Sequence, residues 1–152
     1  MGDAGNERLA EHFDLAVLSV DYRLAPEHPF TAAVDDCLAA YRWLLGQGVA
    51  ARNLVIAGDS AGANLTLVTL LGAKAAGEAP PACAFLFSPP VDLTLNSPSF
   101  VANERSDALF RLATLLLLRS RYVGAEQLLD WRVSPLFGDL AGLPPLLLQA
   151  GT

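Results

Sequence analysis

Short unbroken apolar runs alternate along this chain with stretches in which apolar residues recur every three or four positions. The runs are Ala16-Val-Leu-Ser-Val20, Leu54-Val-Ile-Ala57, Cys83-Ala-Phe-Leu-Phe87 and Leu146-Leu-Leu-Gln-Ala150, each with the length and branching of a buried strand. Pro89-Pro90 stops the third, because proline brings no N–H to a ladder, and Pro144-Pro145 leads into the fourth. Between them, Val34, Leu38, Tyr41 and Leu45 share one helical face. They predict a helix over Ala32–Leu45 with Thr31 as its cap and Asp35 and Asp36 in the early turns, where the dipole favours carboxylates. A second helix is expected over Ala61–Ala76, closed by Gly77 and Pro80-Pro81, and a short amphipathic segment, Glu7–Phe13, precedes the first run.

Strands alternating with helices are the pattern of an α/β fold with a parallel sheet, and strands apolar throughout call for cover on both faces. One domain spanning residues 1–152 is expected. The interval from Ser88 to Pro145 breaks the rhythm with a polar loop, a helix near Ser106–Tyr122, Trp131 and a Ser134-Pro135 turn. An insertion that long between two strands often carries function.

Composition narrows the classes. With 53% hydrophobic and 17% charged residues the chain is not intrinsically disordered, and a net charge of −6 would repel a phosphate backbone, so no nucleic-acid partner is expected. The most apolar stretch, Leu112–Leu118, is interrupted by Thr114 and is too short to cross a bilayer. The polar start lacks the apolar core of a signal peptide, and Cys37 and Cys83 form neither a CxxC pair nor a disulfide framework. A cytoplasmic protein with two reduced, buried thiols and no metal site is the expectation. Asn64-Leu65-Thr66 has the spacing of a glycosylation acceptor but falls inside a predicted helix.

The chemistry lies in Gly58-Asp59-Ser60-Ala61-Gly62, which follows a strand and opens a helix. At such a junction a Gly-x-Ser-x-Gly turn lifts the serine hydroxyl above the sheet edge, on a strained backbone with glycines where neighbouring chain passes close. The helix mouth then points free N–H groups at any charge the serine creates, Ala61 N–H first among them, the kind of preorganised donor that lowers an acyl-transfer barrier.

Three segments taken together are familiar: Val20-Asp-Tyr-Arg-Leu-Ala-Pro-Glu-His-Pro-Phe30, Gly58-Asp-Ser-Ala-Gly62 and Ser88-Pro-Pro-Val-Asp-Leu-Thr94. Their order over nearly the whole chain resembles the hormone-sensitive-lipase-like branch of the α/β-hydrolases, which includes bacterial carboxylesterases. Ser134-Pro-Leu-Phe-Gly-Asp-Leu-Ala-Gly-Leu-Pro-Pro145 is similar to the segment leading into a late strand of that family. The resemblance implies an ester hydrolase of small or short-acyl substrates with Ser60 as nucleophile and no cofactor. It also implies a lid-type insertion over about 97–131.

The same resemblance shows what is missing. The fold orders its triad serine, acid, histidine, whereas the two histidines, His12 and His28, both precede Ser60 and neither is expected to be the base. The family's acid follows the late strand, and its HGGG-type oxyanion motif should precede a stretch like Met1–Leu9. The chain is therefore expected to be the middle of such a protein, cut at both ends, inactive alone, and prone to oligomerise or precipitate where a central strand is absent. Asp92 is a spare candidate for the acid, although an aspartate in a Ser-Pro-x-x-Asp turn more often bonds its own backbone. Two alternatives stand beside the esterase: a non-catalytic small-ligand receptor on the same fold, and an amidase or peptidase.

The remaining residues have structural readings. Asp35 and Asp36 point about 100° apart on a helix and form no catalytic pair. Arg23 and Glu27 flank a proline turn and are expected to pair. Asp59 charges or caps the helix start. Trp43 is expected in the core, and Trp131 lining a pocket.

Overall fold

The computed structural model describes residues 3–107 and 109–151. Three of the four apolar runs become strands β1 (Val55–Asp59), β2 (Cys83–Phe87) and β3 (Leu146–Gln149). They form one parallel sheet in the order β1-β2-β3, with Val55 beside Cys83 and Ala84 beside Leu146. The helices are α1 (Asp3–Phe13), α2 (Ala32–Gly46), α3 (Ala61–Ala75), α4 (Pro98–Ala102) and α5 (Leu112–Tyr122).

The core follows from α3, which is buried at every position from Ala63 to Leu71 and again at Ala73. A helix apolar on all sides has to be enclosed. Leu67, Leu70 and Ala63 pack on Ala84 and Leu86 of β2 with Ile56 of β1 beside them, while Leu65 and Val68 meet Ala33 and Val34 of α2. Each large aliphatic side chain enclosed this way stabilises the fold by roughly 1.5–3 kcal/mol. At the far end of α3, Lys74 Nζ donates to the carbonyls of Asp139 and Ala141 and pairs with the Asp139 carboxylate at 2.7 Å, fixing the approach to β3.

Several expectations change. Ala16–Val20 is mostly exposed and belongs to no strand among the described residues, because a strand exists only where a neighbour completes its ladder. Cover on both faces is likewise not found among them. β2 alternates between buried Ala84 and Leu86 on the α3 side and half-buried residues on the other, and Val55, Leu147 and Leu148 stay 47%, 54% and 54% exposed. The helix expected from Ser106 begins at Leu112, since Asp107 accepts the Leu109 and Phe110 N–H groups and turns the chain first.

Thr31 does not cap α2: its hydroxyl donates to Asp35 Oδ2 at 2.6 Å. Arg23 pairs with Asp36 rather than Glu27, through a guanidinium fork and its own main-chain N–H, and the fork holds the Asp36 carboxyl at a pKa of about 2. Trp43 is 56% exposed instead of core, and Trp131 packs against the α2–α3 cluster. Cys37 and Cys83 are unpaired and half-buried, and burial pushes the Cys37 thiol up to about 11.

Candidate active site

Ser60 joins β1 to α3 at φ 53° and ψ −119°, a left-handed conformation that non-glycine residues avoid. Three features hold it there. Ser60 N–H donates to Phe87 O at 2.8 Å, continuing the sheet ladder one residue beyond β1. Ser60 O accepts from Ala63 N–H at 2.9 Å and from Asn64 N–H at 3.1 Å, closing the first turn of α3. Gly58 lets that turn fold back onto the strand: a Cβ there would lie 2.2 Å from Gly62 C and O. Gly62 differs from expectation, for a Cβ on it would meet nothing within 4 Å among the described residues.

Ser60 and Ala61 are both exposed at the carboxyl end of β1. The N–H groups of Ala61 and Gly62 precede the first N–H that finds a helical acceptor, so they lie open at the positive end of the α3 dipole. Ser60 is itself the N-cap residue and makes no side-chain cap bond, which leaves its hydroxyl uncommitted, and Asp59 ends β1 exposed beside it. Strand end, strained serine and helix mouth coincide at one point, the arrangement acyl transfer requires of a nucleophile and an oxyanion donor.

The loop leaving β2 runs beside this point. It starts at Ser88, also left-handed at φ 47°, whose N–H donates to Gln149 O at 2.7 Å. Asp92 Oδ1 accepts from Thr94 N–H at 2.8 Å, the local backbone bond its turn predicted. His28 lies on the exposed loop before α2, where its main-chain N–H donates to Leu24 O, and His12 sits on exposed α1 against Phe13.

One feature of the site escaped the sequence. Asn64, one turn after Ser60, is 5% exposed, and its Nδ2 donates to Pro90 O at 2.7 Å and Val133 O at 3.0 Å. An amide inside a buried helix has to find partners, and that was the available signal; the glycosylation spacing at Asn64 falls on this enclosed side chain. Ser134, also fully buried, accepts Leu93 N–H on its Oγ, and Arg119 on α5 donates to Leu93 O and Thr94 O. Within the insertion, α4 and α5 bound an open groove of about 690 Å³ lined by Val101, Leu112 and Leu116 with Glu104 and Arg105.

Comparison with known proteins agrees with this geometry. The family model described as alpha/beta hydrolase fold matches residues 1–152. An esterase from Acinetobacter venetianus is 44% identical over 145 residues, covering 95% of this chain and 48% of its own length. An acetyl-hydrolase from Streptomyces hygroscopicus is 42% identical over 137 residues, covering 90% and 46%. Among solved structures, the hyperthermophilic esterase from Pyrobaculum calidifontis superposes with a TM-score of 0.89 at 36% identity, over 96% of this chain and 50% of that one. An esterase from the bacterial hormone-sensitive lipase family gives 0.81 at 40% identity, over 85% and 43%. The chain spans about half the length of the curated relatives it matches. Among the described residues no helix is long and apolar enough to cross a membrane. A strained serine between a parallel strand and a buried helix, in a sequence matched from end to end, places this chain in the alpha/beta hydrolase fold family, with its similarity running to esterases of the hormone-sensitive-lipase type.

Proposed function

We propose that the chain carries the nucleophile of a serine carboxylic-ester hydrolase. Ser60 Oγ attacks the ester carbonyl and gives its proton to a histidine supplied from outside these 152 residues, since His12 and His28 lie before the elbow on exposed segments. The oxygen that becomes negative is held by Ala61 N–H. Collapse expels the alcohol, which takes the proton back, and leaves an acyl group on Ser60. Water, deprotonated by the same histidine, then releases the acid and restores the hydroxyl. The carboxylate that orients the histidine also comes from outside the chain. Asp92 is the spare candidate within the chain, second to that outside acid because its Oδ1 is already engaged by Thr94 N–H.

Short-acyl esters are the substrate class, in keeping with the acetyl-hydrolase among the relatives. The segment over about 97–131, with its apolar groove between α4 and α5, contributes a lid. An acidic protein with unpaired cysteines fits the cytoplasm. The observation that carries the reading is Ser60 at φ 53°, exposed, with the mouth of α3 behind it. The test is hydrolysis of p-nitrophenyl acetate and butyrate, against the matching anilides, by the full-length protein and its Ser60→Ala variant, with a fluorophosphonate probe locating the nucleophile. Ester turnover and labelling at Ser60, both lost in the variant, are expected. Turnover that survives Ser60→Ala, or a fluorophosphonate adduct elsewhere, would refute the assignment.

A further inference from the structure

Asn64 joins the elbow to two other segments of the chain. Its main-chain N–H donates to Ser60 O at 3.1 Å, within the elbow itself. Its side-chain amide gives both hydrogens to carbonyls of other segments, Pro90 O at 2.7 Å and Val133 O at 3.0 Å. Pro90 belongs to the loop leaving β2, and Ser60 N–H donates to Phe87 O just before that loop begins, so the loop departs from the sheet beside the nucleophile. The other ties on this loop lead away from Ser60. Leu136 N–H donates to Val91 O at 3.0 Å, Leu93 N–H to Ser134 Oγ at 2.9 Å, and Arg119 Nη1 to Leu93 O and Thr94 O at 3.2 and 3.0 Å. Those bonds fasten the loop to the insertion and its return segment, whereas Asn64 fastens it to the helix that carries Ser60.

We infer that Asn64 is a positioning residue, whose amide sets the Ser88–Thr94 loop against the nucleophile elbow so that loop and Ser60 form one rigid wall of the ester site. The inference rests on the proposed role of Ser60 for its kinetic consequence; its mechanical part stands on the hydrogen bonds alone. A buried side chain that gives up two donors leaves two carbonyls unanswered, and the segments they belong to separate more easily.

The variant Asn64→Asp in the full-length protein keeps volume and shape while removing both donors. As a carboxylate it faces two carbonyl oxygens; once protonated it donates one bond, so its defect shrinks as pH falls. The charged residues on the segments it meets are Asp92, two positions past Pro90, and Arg132, beside Val133 and paired with Asp130 at 2.6 Å. No histidine follows His28 in this sequence, so α3, the β2 exit loop and the 130–136 segment carry none.

Hydrogen-exchange protection factors are read at Leu93 and Leu136 in the loop ties and at positions 63 and 64 in the elbow. At pH 8 both groups are expected to lose protection about tenfold or more, with recovery of several-fold at pH 5.5. Ser134→Ala, which spares Asn64, should affect Leu93 and leave the elbow unchanged. With p-nitrophenyl butyrate, KM rises about tenfold in Asn64→Asp while kcat stays within about threefold, the reverse of a loss of active molecules. A loosened loop beside an unchanged elbow would overturn the inference. So would Ser134→Ala reproducing the whole pattern. If the wild type turns over no ester, the hydrolase reading fails and the exchange pattern still decides Asn64. If Asn64→Asp does not fold, Asn64→Ser, smaller and uncharged with one donor, carries the exchange comparison against Ser134→Ala.

Discussion

Comparing Ser60→Gly with Ser60→Ala separates what the hydroxyl does from what the backbone costs. Both variants delete Oγ, and both should lower ester hydrolysis by the full-length protein about a thousandfold or more, as loss of a serine nucleophile does. They differ in what a Cβ does at φ 53° and ψ −119°. A non-glycine residue held in a sparsely populated region costs on the order of 1–3 kcal/mol. Glycine removes that cost but loses roughly 0.5–1 kcal/mol through the greater freedom of its unfolded chain. Ser60→Gly should therefore be the more stable of the two by about 1 kcal/mol, within a range of roughly 0–2.5. Such a difference moves the midpoint of thermal unfolding by about 2–4 °C per kcal/mol in proteins of about 150–250 residues. Differential scanning calorimetry of wild type and both variants measures it, with p-nitrophenyl acetate hydrolysis run in parallel. If Ser60→Gly melts clearly below Ser60→Ala, the elbow holds no strain at this serine, and the geometric ground for its role as nucleophile is lost.

Other outcomes follow from single features. Gly58→Ala would push a methyl to 2.2 Å from main-chain atoms of Gly62 and 2.6 Å from Ala63 N, with no rotamer to escape through, so it should cost about 3 kcal/mol or more, whereas Gly62→Ala, with open space around its Cβ, should be neutral or stabilising; equal melting temperatures for the two would contradict the packing of the elbow. Asp36 titrates near 2, chiefly because of its side-chain bonds to Arg23 and next the Arg23 main-chain N–H. A lowered folded-state pKa stabilises the protein above the unfolded value of about 3.9 and is lost as pH falls toward 2. Arg23→Met should move the Asp36 midpoint back toward the ordinary carboxylate range in an NMR titration, and a midpoint that stays near 2 would show that the fork is not its cause. The isolated 152-residue chain should self-associate in sedimentation velocity, because Val55 and Leu147 leave an apolar sheet face open, and β1 and β3 leave two strand edges open among the described residues; a monodisperse monomer that melts cooperatively would refute this.

The strands legible in the sequence were those whose partners lie among the described residues. Cys83–Phe87 is flanked by β1 and β3 and matches its predicted bounds, while Ala16–Val20, equally apolar, forms no ladder. Apolarity records what a segment is suited to pack against, and the neighbour decides whether a strand forms. Trp43 misled for the same reason: a large apolar side chain on a helix suggests core, yet 56% of it meets no protein here. Arg23 was assigned to Glu27, four residues on, and folding offered Asp36, thirteen residues on, whose carboxylate also accepts the Arg23 main-chain N–H. Partner choice at that range depends on how α2 sits, which no local pattern encodes. The elbow was legible because it is local, with strand, two glycines, serine and helix start contained in ten residues. The Asn64 stitch was not, because its acceptors lie 26 and 69 positions away.

That contrast bears on why a strained serine persists at all. A left-handed residue on a free loop would relax, so something has to hold both of its ends. On one side Ser60 N–H is fixed to Phe87 O by the sheet; on the other, Ser60 O is fixed by two N–H groups of α3. α3 cannot turn to relieve the strain, because rotation would carry Leu67 and Leu70 off β2 and Leu65 and Val68 off α2, and would pull the Asn64 amide from two carbonyls. The interactions that keep Ser60 exposed are therefore largely those of the buried core. A core substitution such as Leu67→Ala, far from any ester, should then reach the site by slackening the elbow as well as by lowering stability.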